Sequence, residues 1–569
     1  MSTHLSANHK TIDQKIIEPL KFQPDLNVSE FIIENPTVSD EAVPMDVLFV
    51  GGGSAGLCGA IRLALNVKKA KASDSSFPDV EIGVLEKAQS LGGHTLSGSV
   101  INPIALKELF PELTEKDFPF KNKVNSEKVY FITSTSQFRM PTPPTMKNHG
   151  NYSASLCEVV RWLGEKAEGL GINVFTSFPA KALLVQDKKV IGIRTTAAGL
   201  NKDNSESAQY MPPTDILASV TVLCEGTRGP ITQSYLKWSK TESQAPQIYA
   251  LGVKEVWKVK KPFNDVIHTL GWPLARDTFG GSWLYPMGDD MVSLGLVAGL
   301  DYKKTNLDVH GELQNLKNHP LIKNVLEGGE MVEWGAKTIP EGGFHSLPQK
   351  LSGDGIMICG DAAGMVNVPA LKGIHYAMKS GLLAADTISQ AIKAKDFSAE
   401  FLKKYDEAFK KSFIYSDLKK VRNIRQAFMH SNFWWASIKA AFMTITNCAF
   451  PPQKPHDHED AETVKEFAEP LKYLGIKKVD GVYSSGNKTR DSIPSHLTVK
   501  PVSELNIGTD ISAHLADFYA SLCPAGVYER QGDKLVVNAP NCVDCKATDV
   551  LGPRWEPREG GSGPNYTYM

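Results

Sequence analysis

Hydrophobic and polar positions near the start of the chain follow a strand, turn and helix order. Asp46-Val47-Leu48-Phe49-Val50 is a short apolar run, and Gly51-Gly52-Gly53-Ser54-Ala55-Gly56 follows it directly. Leu57, Ile61 and Leu65 then recur at helical spacing. A short apolar run bounded by glycines is typical of a buried strand, and a period near 3.6 is typical of a helix. The pattern therefore predicts a buried strand, a tight turn and a helix.

The same reading along the chain predicts further elements. They are a polar insertion at 68–79, a strand at 80–85 that ends at Glu86, a helix at 155–169, a strand-rich segment at 174–193, a polar surface loop at 201–213 and a strand at 220–223. Residues 247–301 alternate polar and apolar positions, which favours an antiparallel sheet. A second strand, turn and helix follows at 356–359, Gly360-Asp361 and 373–393, and a basic, aromatic helix is predicted at 418–447.

The chain of 569 residues is long enough for several cores, because single cores stop growing at roughly 250–300 residues. Its 42% hydrophobic and 22% charged composition is that of a folded protein, and its net charge of -1 gives no reason to expect a nucleic-acid partner. The N-terminus interleaves charged and apolar residues, unlike a secretory signal. No stretch reaches the ~18 apolar residues of a membrane span, so at a membrane we expect the chain to lie on the surface.

The turn at Gly51-x-Gly53-x-x-Gly56 has the spacing of a dinucleotide site. The first glycine permits the tight turn, the second lets the backbone approach a pyrophosphate, and the third permits close packing of strand and helix. The pyrophosphate would lie at the N-terminus of the helix that begins near Ser54 and Ala55. Glu86 is placed to accept from a ribose hydroxyl, with the polar insertion explaining its unusual distance from the turn. The alternative is a flexible glycine turn without a ligand.

The second glycine turn, Gly360-Asp361, decides which dinucleotide is expected. FAD is long, and flavoproteins of this type use a late strand and Gly-Asp turn to hold its ribityl and pyrophosphate part. A simple NAD dehydrogenase has no need of that turn. Asp361 alone is also compatible with an ordinary helix cap. The two turns together predict an FAD-dependent oxidoreductase with two dinucleotide-binding halves.

Several longer segments carry a more specific resemblance. They are Gly93-His94-Thr95-Leu96-Ser97-Gly98, Gly271-Trp272-Pro273-Leu274, Gly280-Gly281-Ser282-Trp283-Leu284-Tyr285, Gly342-Gly343-Phe344, Asn367-Val368-Pro369, Lys372-Gly373, Ala377-Met378-Lys379-Ser380-Gly381, Asp491-Ser492-Ile493-Pro494, Cys523-Pro524-Ala525-Gly526-Val527-Tyr528 and Gly560-Gly561-Ser562-Gly563-Pro564. From about Asp46 to the C-terminus the sequence resembles the electron transfer flavoprotein-ubiquinone oxidoreductase family. One departure is Lys372-Gly373-Ile374-His375-Tyr376, where the family has Lys-Gly-Thr-His-Thr and so a hydroxyl near the flavin.

The resemblance implies a fold class and a domain order. We expect a mixed α/β and α+β protein: an N-terminal arm at 1–43, a discontinuous Rossmann-type FAD domain of the glutathione-reductase-like superfamily at 44–245 and 330–420, an antiparallel quinone-binding domain at 246–329, a membrane-surface amphipathic helix at 421–450 and a ferredoxin-like iron–sulfur domain at 451–569. The FAD residues it implies are Gly51, Gly53, Ser54, Ala55, Gly56, Glu86, Lys87, His94, Leu96, Ser97, Gly98, Gly226, Gly360, Asp361, Lys372 and Gly373.

The quinone site implied by the resemblance is formed by Gly280, Gly281, Trp283 and Tyr285. The two glycines would present backbone polar groups to a quinone carbonyl, and the aromatic side chains would line its ring. Without the resemblance, Gly-Gly is more typical of a sheet bulge beside core aromatics. Both interpretations remain open from the residues alone.

Three of the eight cysteines gather near the C-terminus as Cys523, Cys542 and Cys545. They fall on three ligand positions of the family's four-iron cluster, and the fourth position is Thr548. Asp549 supplying an oxygen ligand, a cluster short of one iron and an absent cluster are the alternatives. A zinc site lacks a fourth ligand and a nearby histidine, and a thioredoxin-like pair lacks its βαβ context. We expect a three-cysteine iron–sulfur site.

Apolar residues recur at helical spacing between Val421 and Ile445, with basic residues at the N-terminal end. Helices of this kind lie in the headgroup plane of a membrane, although packing on the core is the alternative. The resemblance favours membrane contact through Phe428, Phe433, Trp434, Trp435 and Phe442.

The implied reaction passes electrons from reduced electron transfer flavoprotein, through an iron–sulfur cluster and FAD, to membrane ubiquinone. Cofactors carry this chemistry, so no catalytic acid or base is expected. The alternatives are an FAD-dependent isoprenoid-lipid reductase or monooxygenase-like enzyme, and a non-catalytic metal-binding module docked on a membrane. We expect a monomer on the cytoplasmic face of a bacterial inner membrane, because the start of the chain lacks an Arg-rich transit pattern; a mitochondrial inner membrane is the alternative.

Overall fold

A computed structural model describes residue 19 and residues 22–288, 290–429, 433–497 and 504–569; for 433 and 434 it describes the backbone alone. The predicted arm lies largely outside the described residues. Within them the strands are β1 Ile32–Glu34, β2 Val43–Pro44, β3 Val47–Val50, β4 Ile82–Glu86, β5 Val100–Ile101, β6 Glu127–Ile132, β7 Gln137–Met140, β8 Tyr152–Ser153, β9 Asn173–Thr176, β10 Ala180–Gln186, β11 Lys189–Thr195, β12 Ala198–Leu200, β13 Glu206–Met211, β14 Asp215–Leu217, β15 Val220–Leu223, β16 Tyr249–Lys258, β17 Val266–Gly271, β18 Gly280–Pro286, β19 Met291–Gly299, β20 Glu330–Pro340, β21 Ser352–Gly353, β22 Ile356–Ile358, β23 Glu504–Asn506, β24 Tyr528–Gln531 and β25 Lys534–Val537.

The helices of the same residues alternate with these strands. They are α1 Ser54–Ser73, α2 Ile104–Leu109, α3 Leu156–Glu168, α4 Pro230–Ser239, α5 Val309–Leu316, α6 Pro320–Leu326, α7 Ile374–Ala394, α8 Ala399–Leu402, α9 Lys404–Lys411, α10 Phe413–Val421, α11 Ile424–Met429, α12 Phe433–Ile445, α13 Lys478–Ser484, α14 Ala513–Leu522 and α15 Ala547–Leu551. None of the described helices is long and apolar enough to span a membrane.

A mostly parallel sheet in the order β21-β22-β15-β3-β4-β9 carries both predicted glycine turns. All four residues of β3 are buried, and Val50 pairs with Leu85 on one side and Leu223 on the other. The predicted strand and helix around the first turn are confirmed. The polar insertion begins later than expected, because residues 68–73 are Lys, Ala and Ser, which extend α1 to Ser73.

Helices α1 and α7 cross at two glycines, and this crossing brings the two turns together. A Cβ built on Gly381 would lie 2.2 Å from the carbonyl oxygen of Ala55, and one built on Gly59 would lie 3.1 Å from that of Gly381. Neither position has room for a side chain. The backbones therefore approach closely, which places the start of the late helix beside the start of the first.

A second sheet, in the order β20-β16-β19-β18-β17-β6-β7, confirms the antiparallel segment predicted at 247–301. It extends beyond that segment. β20 pairs along most of β16, so the sheet continues past the expected boundary at 329/330, and β6 pairs in parallel with β17. Such pairings join residues far apart in sequence, where the local pattern gives no boundary signal.

The strand-rich segment at 174–193 becomes β9, β10 and β11, and part of the expected arm joins it. Residues 32–34 form β1, which pairs with β10, and residues 43–44 form β2, which pairs with β14. The predicted loop at 201–213 contains β13, which forms a hairpin with β12. Most of β13 is solvent-exposed, so its polar composition reflects a surface hairpin.

The helix predicted at 418–447 is interrupted at 422–423, where α10 ends at Val421 and α11 begins at Ile424. Residues 430–432, between α11 and α12, lie outside the described residues. The side chain of Arg425 in α11 is buried and bonds Asp301 at 2.8 and 2.9 Å and Glu341 at 3.2 Å. This attachment fixes α11 on the body of the protein, while α12 exposes apolar side chains. Periodicity alone did not reveal the break at 422–423.

Candidate functional site

The first glycine turn leaves space where a dinucleotide needs it. Gly51 has φ +122°, and a Cβ built there would lie 2.2 Å from the carbonyl oxygen of Cys224; one built on Gly56 would lie 2.1 Å from that of Gly51. A Cβ built on Gly53 meets nothing within 4 Å. Gly51 and Gly56 are therefore required for packing within the protein. Gly53 keeps open the space in front of the N–H groups at Ser54 and Ala55, where a pyrophosphate fits.

Glu86 lies at the end of β4 and faces the turn. Its Oε2 accepts from the N–H of Gly52 at 3.1 Å, and its Oε1 accepts from the N–H of Ala88 at 2.8 Å. A carboxylate has about four acceptor positions, so each oxygen can take a further donor. The location is the one the sequence predicts for a ribose acceptor.

The second turn faces the first. A Cβ built on Gly360 would lie 3.3 Å from the Cβ of Ala55, and one built on Gly373 would lie 3.7 Å from Oδ1 of Asp361. Burial raises the pKa of Asp361 to about 6 and lowers the pKa of Lys372 to about 8. The distances at Gly360 show that the N-terminus of α1 and the Gly360-Asp361 turn lie together, although they are about 300 residues apart in sequence.

The remaining predicted FAD residues surround this region in loops. Gly226 follows β15 with φ +71° and open space around its Cβ position, and Gly98 is exposed with open space as well. The hydroxyl of Ser97 accepts from the N–H of Ser99 at 3.1 Å. Leu96 packs against the buried cluster that contains Tyr566. Leu96 and Ser97 thus already have contacts within the protein.

Lys87 and His94 point to the C-terminal region. The ammonium of Lys87 bonds the buried carboxylate of Asp544, and Nδ1 of His94 lies 3.7 Å from the same carboxylate. Arg558 donates to Asp544 at 2.9 Å. Burial is the main cause that lowers the pKa of His94 well below its usual value, so the ring is neutral. The loop that carries Cys542 and Cys545 is therefore tied to the residue that follows Glu86.

The three C-terminal cysteines line one buried cavity. Its walls comprise Leu497, Cys523, Ala525, Val527, Tyr528, Cys542, Val543, Cys545, Lys546, Thr548 and Trp555. The thiols are each at most 8% exposed. Burial raises the pKa of Cys542 to about 12, and it also raises the pKa of Cys523 and Cys545, so without a metal all three keep their protons.

Backbone N–H groups point at each of these sulfurs. Cys523 receives them from residues 525, 527 and 528, and Cys545 receives one from residue 547. The N–H of Asp544 donates to Sγ of Cys542 at 3.4 Å. Such donors stabilise thiolates and tune iron–sulfur clusters. Three buried cysteines that line one cavity and receive amide donors fit an iron–sulfur cluster.

Asp549 is not a ligand candidate, contrary to one sequence-based alternative. It bonds Arg228 through Oδ2, and its Oδ1 accepts from the N–H of Trp555 at 2.9 Å. Its carboxylate is absent from the cavity wall formed by the described residues. Thr548, at the fourth family position, does line the cavity.

The predicted quinone residues lie in β18 and its surroundings. A Cβ built on Gly280 would lie 2.1 Å from the carbonyl oxygen of Val297, and one built on Gly281 would lie 2.6 Å from that of Thr269. Both glycines therefore allow close strand packing. Trp283 and Tyr285 are buried, with ring centroids 6.2 Å apart.

Sequence reasoning missed a buried polar chain beside Tyr285. The hydroxyl of Tyr285 lies 3.0 Å from Nδ1 of His268, and Nε2 of His268 lies 3.0 Å from Oε1 of Glu127. Burial lowers the pKa of His268 and raises that of Tyr285 well above its usual value. Glu127 and His268 are 141 positions apart and meet because β6 pairs with β17. No local signal in the sequence links them.

The predicted membrane residues divide into two groups. In α12, Trp435 is 60% and Phe442 54% exposed, and Ile445 is 79% exposed. Phe428 in α11 is half-buried and packs edge-on against Phe279 with ring centroids 5.5 Å apart. The side chains of Phe433 and Trp434 lie outside the described residues. Phe279 precedes Gly280, so the apolar surface and the predicted quinone strand adjoin each other.

Two family models match the chain. Residues 249–339 match the model described as "ETF-QO, ubiquinone-binding", and residues 472–567 match "Electron transfer flavoprotein-ubiquinone oxidoreductase, 4Fe-4S". The first match covers β16 to β20, and the second covers the three cysteines. Among solved structures, a geranylgeranyl bacteriochlorophyll reductase-like protein from Thermoplasma acidophilum is similar with a TM-score of 0.52 and 19% identity, over 72% of this chain and 97% of that one. That likeness concerns the fold alone.

Curated relatives match nearly the whole chain. The electron transfer flavoprotein-ubiquinone oxidoreductase of Dictyostelium discoideum is 37% identical, over 94% of this chain and 92% of the relative. The Arabidopsis thaliana protein of that name is 38% identical over 93% and 85%, and the Homo sapiens protein 36% identical over 92% and 89%. Identity at this level over this length establishes common descent and a common fold. The chain belongs to the electron transfer flavoprotein-ubiquinone oxidoreductase family.

Proposed function

We propose that this chain carries electrons from reduced electron transfer flavoprotein to ubiquinone by holding an iron–sulfur cluster and FAD on the two sides of one contact, between Asp544 and Lys87. Asp544 lies between two cysteines of the cluster cavity, and Lys87 follows the carboxylate that faces the FAD turn. This contact is the observation that carries the proposal. The two bound groups supply the redox chemistry.

The FAD pyrophosphate is assigned to the Gly51–Gly56 turn, with Gly53 giving it access to the backbone. Glu86 accepts from its ribose, and Gly360 and Asp361 hold its middle part beside Ala55. Lys372 and Gly373 contact it next to Asp361. The finer classification follows from this assignment: a Rossmann-type FAD domain of the glutathione-reductase-like superfamily, and a ferredoxin-like iron–sulfur domain at 451–569.

The quinone is assigned to the region of β18, with Gly280 and Gly281 at the end nearest α11. Arg425 supports this placement, because it bonds Asp301 and Glu341 and lies 4.0 Å from the ring of Phe279. A quinone that lives in a bilayer can then reach the protein beside the exposed apolar side chains of α12. Tyr285, backed by His268 and Glu127, is the buried hydroxyl that we assign to proton supply during quinone reduction, in place of the expectation from sequence that no catalytic acid or base is needed.

The chain is proposed to lie on a membrane surface through Trp435, Phe442 and neighbouring residues of α12. Exposed aromatic side chains near cations suit the headgroup boundary. Membrane docking of Phe433 and Trp434 and a monomeric state stay predictions. The compartment does as well: a bacterial cytoplasmic face is the sequence prediction, whereas the curated relatives above are named mitochondrial.

The test is anaerobic purification with flavin, iron and sulfide analysis, followed by rapid mixing with a reduced electron transfer flavoprotein and a short-chain ubiquinone. We expect flavin and cluster spectra to change on adding the donor and to reverse on adding the quinone. Tyr285→Phe serves as the site variant: reduction by the donor should be unchanged, and reoxidation by quinone slower by roughly tenfold or more, as for loss of a positioned proton donor. A colourless protein that refuses added FAD would overturn the proposal.

A further inference from the structure

The cluster cavity has three thiols and one corner without a thiol. Cys542, Cys545 and Thr548 follow each other at intervals of three residues, and all three line the cavity with Cys523. Thr548 is 9% exposed, close to the 4–8% of the three cysteines. The threonine therefore occupies a place in the wall from which a fourth ligand would reach the same space.

Two hydroxyl side chains, Thr548 and Tyr528, lie at the corner of the cavity that has no thiol. Tyr528 lines the same cavity and faces Thr548. Its hydroxyl is buried beside the side chain of Thr548, but no hydrogen bond of normal geometry joins it to any described residue. A buried hydroxyl without a well-formed hydrogen bond is costly, so a bound group that accepts from Tyr528 would stabilise this arrangement. A sulfide of a cluster held in this cavity would be an acceptor of that kind.

The stronger ligands nearby are already engaged. Asp549 is bound by Arg228 and by the N–H of Trp555. The ligand atoms of His496, Cys542 and Asp544 lie within 4.8 Å of one another, but Asp544 accepts from Arg558 at 2.9 Å and from Nε1 of Trp555 at 3.0 Å. Lys87 also bonds Asp544. Neither His496 nor Asp544 is part of the cavity wall that the described residues form.

Each iron of a four-iron cluster needs one terminal ligand, and proteins normally supply four thiolates. A neutral threonine hydroxyl is a poor substitute, because it brings no negative charge to the metal. We propose that this chain holds its cluster through Cys523, Cys542 and Cys545 alone, and that the iron at the corner beside Thr548 has no protein ligand and is exchangeable. The proposal rests on the cluster assignment made above and concerns only how that cluster is held.

The consequence is a defined chemical reaction with ferricyanide as the named oxidant. A four-iron core of charge 2+ gives one electron to ferricyanide and releases one Fe²⁺ to solution. A three-iron core of charge 1+ remains, with its four sulfides and three thiolates unchanged. Ferrous iron and a thiol reductant return the Fe²⁺ and the electron, which rebuilds the original core.

The experiment compares the wild-type protein with Thr548→Cys and Thr548→Ala, each as the full chain with its flavin. Each protein is reconstituted with iron and sulfide, treated with ferricyanide and a chelator, and desalted. Iron and sulfide are then counted, and the electron spin resonance spectrum of the oxidised sample is recorded. Flavin absorbance and circular dichroism in every sample report folding independently of the cluster.

The wild type should fall from about four to about three irons per chain, keep about four sulfides, and gain a three-iron resonance signal. Thr548→Ala should behave in the same way, since the hydroxyl is not a ligand. Thr548→Cys should keep its fourth iron. A wild type as resistant as Thr548→Cys, or a Thr548→Ala protein that alone loses iron, would overturn the open corner while leaving the cluster in place. A flavin-bound protein with no iron and sulfide would refute both the corner and the cluster assignment.

Discussion

The two glycines Gly53 and Gly56 give a sharp test of the FAD turn, because they differ in what surrounds them. An added methyl at Gly53 meets open space, whereas one at Gly56 would lie 2.1 Å from the carbonyl oxygen of Gly51. The matched variants Gly53→Ala and Gly56→Ala therefore separate ligand binding from folding. Both add one methyl group, three residues apart on the same turn.

The magnitudes follow from the geometry. At Gly56 the backbone must shift by more than 1 Å to reach an ordinary contact, and overpacking of this kind costs about 1–3 kcal/mol. For a large domain that is a fall in Tm of roughly 2–10 °C. Gly53 has φ -83° and ψ -169°, which alanine adopts readily. Replacing Gly53 by alanine weakens the N-cap of α1 slightly, and it also lowers the conformational entropy of the unfolded chain. The two effects have opposite signs and are each below about 1 kcal/mol, so the free energy of unfolding should change little.

For FAD binding the two variants are expected in the opposite order, with the larger effect at Gly53. A methyl at Gly53 fills the space through which the backbone approaches a pyrophosphate, so FAD should bind at least about tenfold more weakly, equivalent to ~1.4 kcal/mol. The assays are thermal unfolding of flavin-free protein by circular dichroism and FAD titration by calorimetry. A Gly53→Ala protein that retains wild-type FAD affinity would refute the placement. The placement would also be refuted if Gly53→Ala lost FAD affinity together with a matching fall in the Tm of the flavin-free protein.

Three further predictions concern stability and the membrane. Arg425→Met should destabilise the protein by about 3–5 kcal/mol in chemical denaturation, because it leaves two buried carboxylates without their cation, whereas the exposed Lys419→Ala should change little. Burial raises the pKa of Glu312 to about 7, so the native state binds this proton more tightly than the unfolded state does. The free energy of unfolding therefore falls as the pH rises from about 4.5 to 7. Glu312→Gln should raise Tm at pH 8 and not at pH 4.5. Phe442→Asp should weaken vesicle co-sedimentation about tenfold or more, while Tyr483→Asp, at a side chain 88% exposed elsewhere, should not; equal binding of both variants would exclude α12 as the anchor.

Some of the site was readable from local sequence because its physics is local. The strand before Gly51, the helix after Gly56 and the acid at Glu86 follow from short-range periodicity and turn chemistry. The structure confirms each of them. The second strand and helix around Gly360 were predicted for the same reason. The role of the C-terminal cysteines as cluster ligands came from the family resemblance.

Tertiary structure alone decided what these pieces do together. Asp544 meets Lys87, His268 meets Glu127, and Arg425 meets Asp301 only because sheets and helices join distant segments. Burial and pairing at long range leave no mark in a local pattern, which is why the helix at 418–447 was predicted whole. The sequence by itself determined the two glycine turns, the strands and helices beside them, and the cysteines as the available sulfur ligands. The fold determined which charges are paired, which hydroxyl faces the cluster cavity, and that Asp549 is already bound to Arg228.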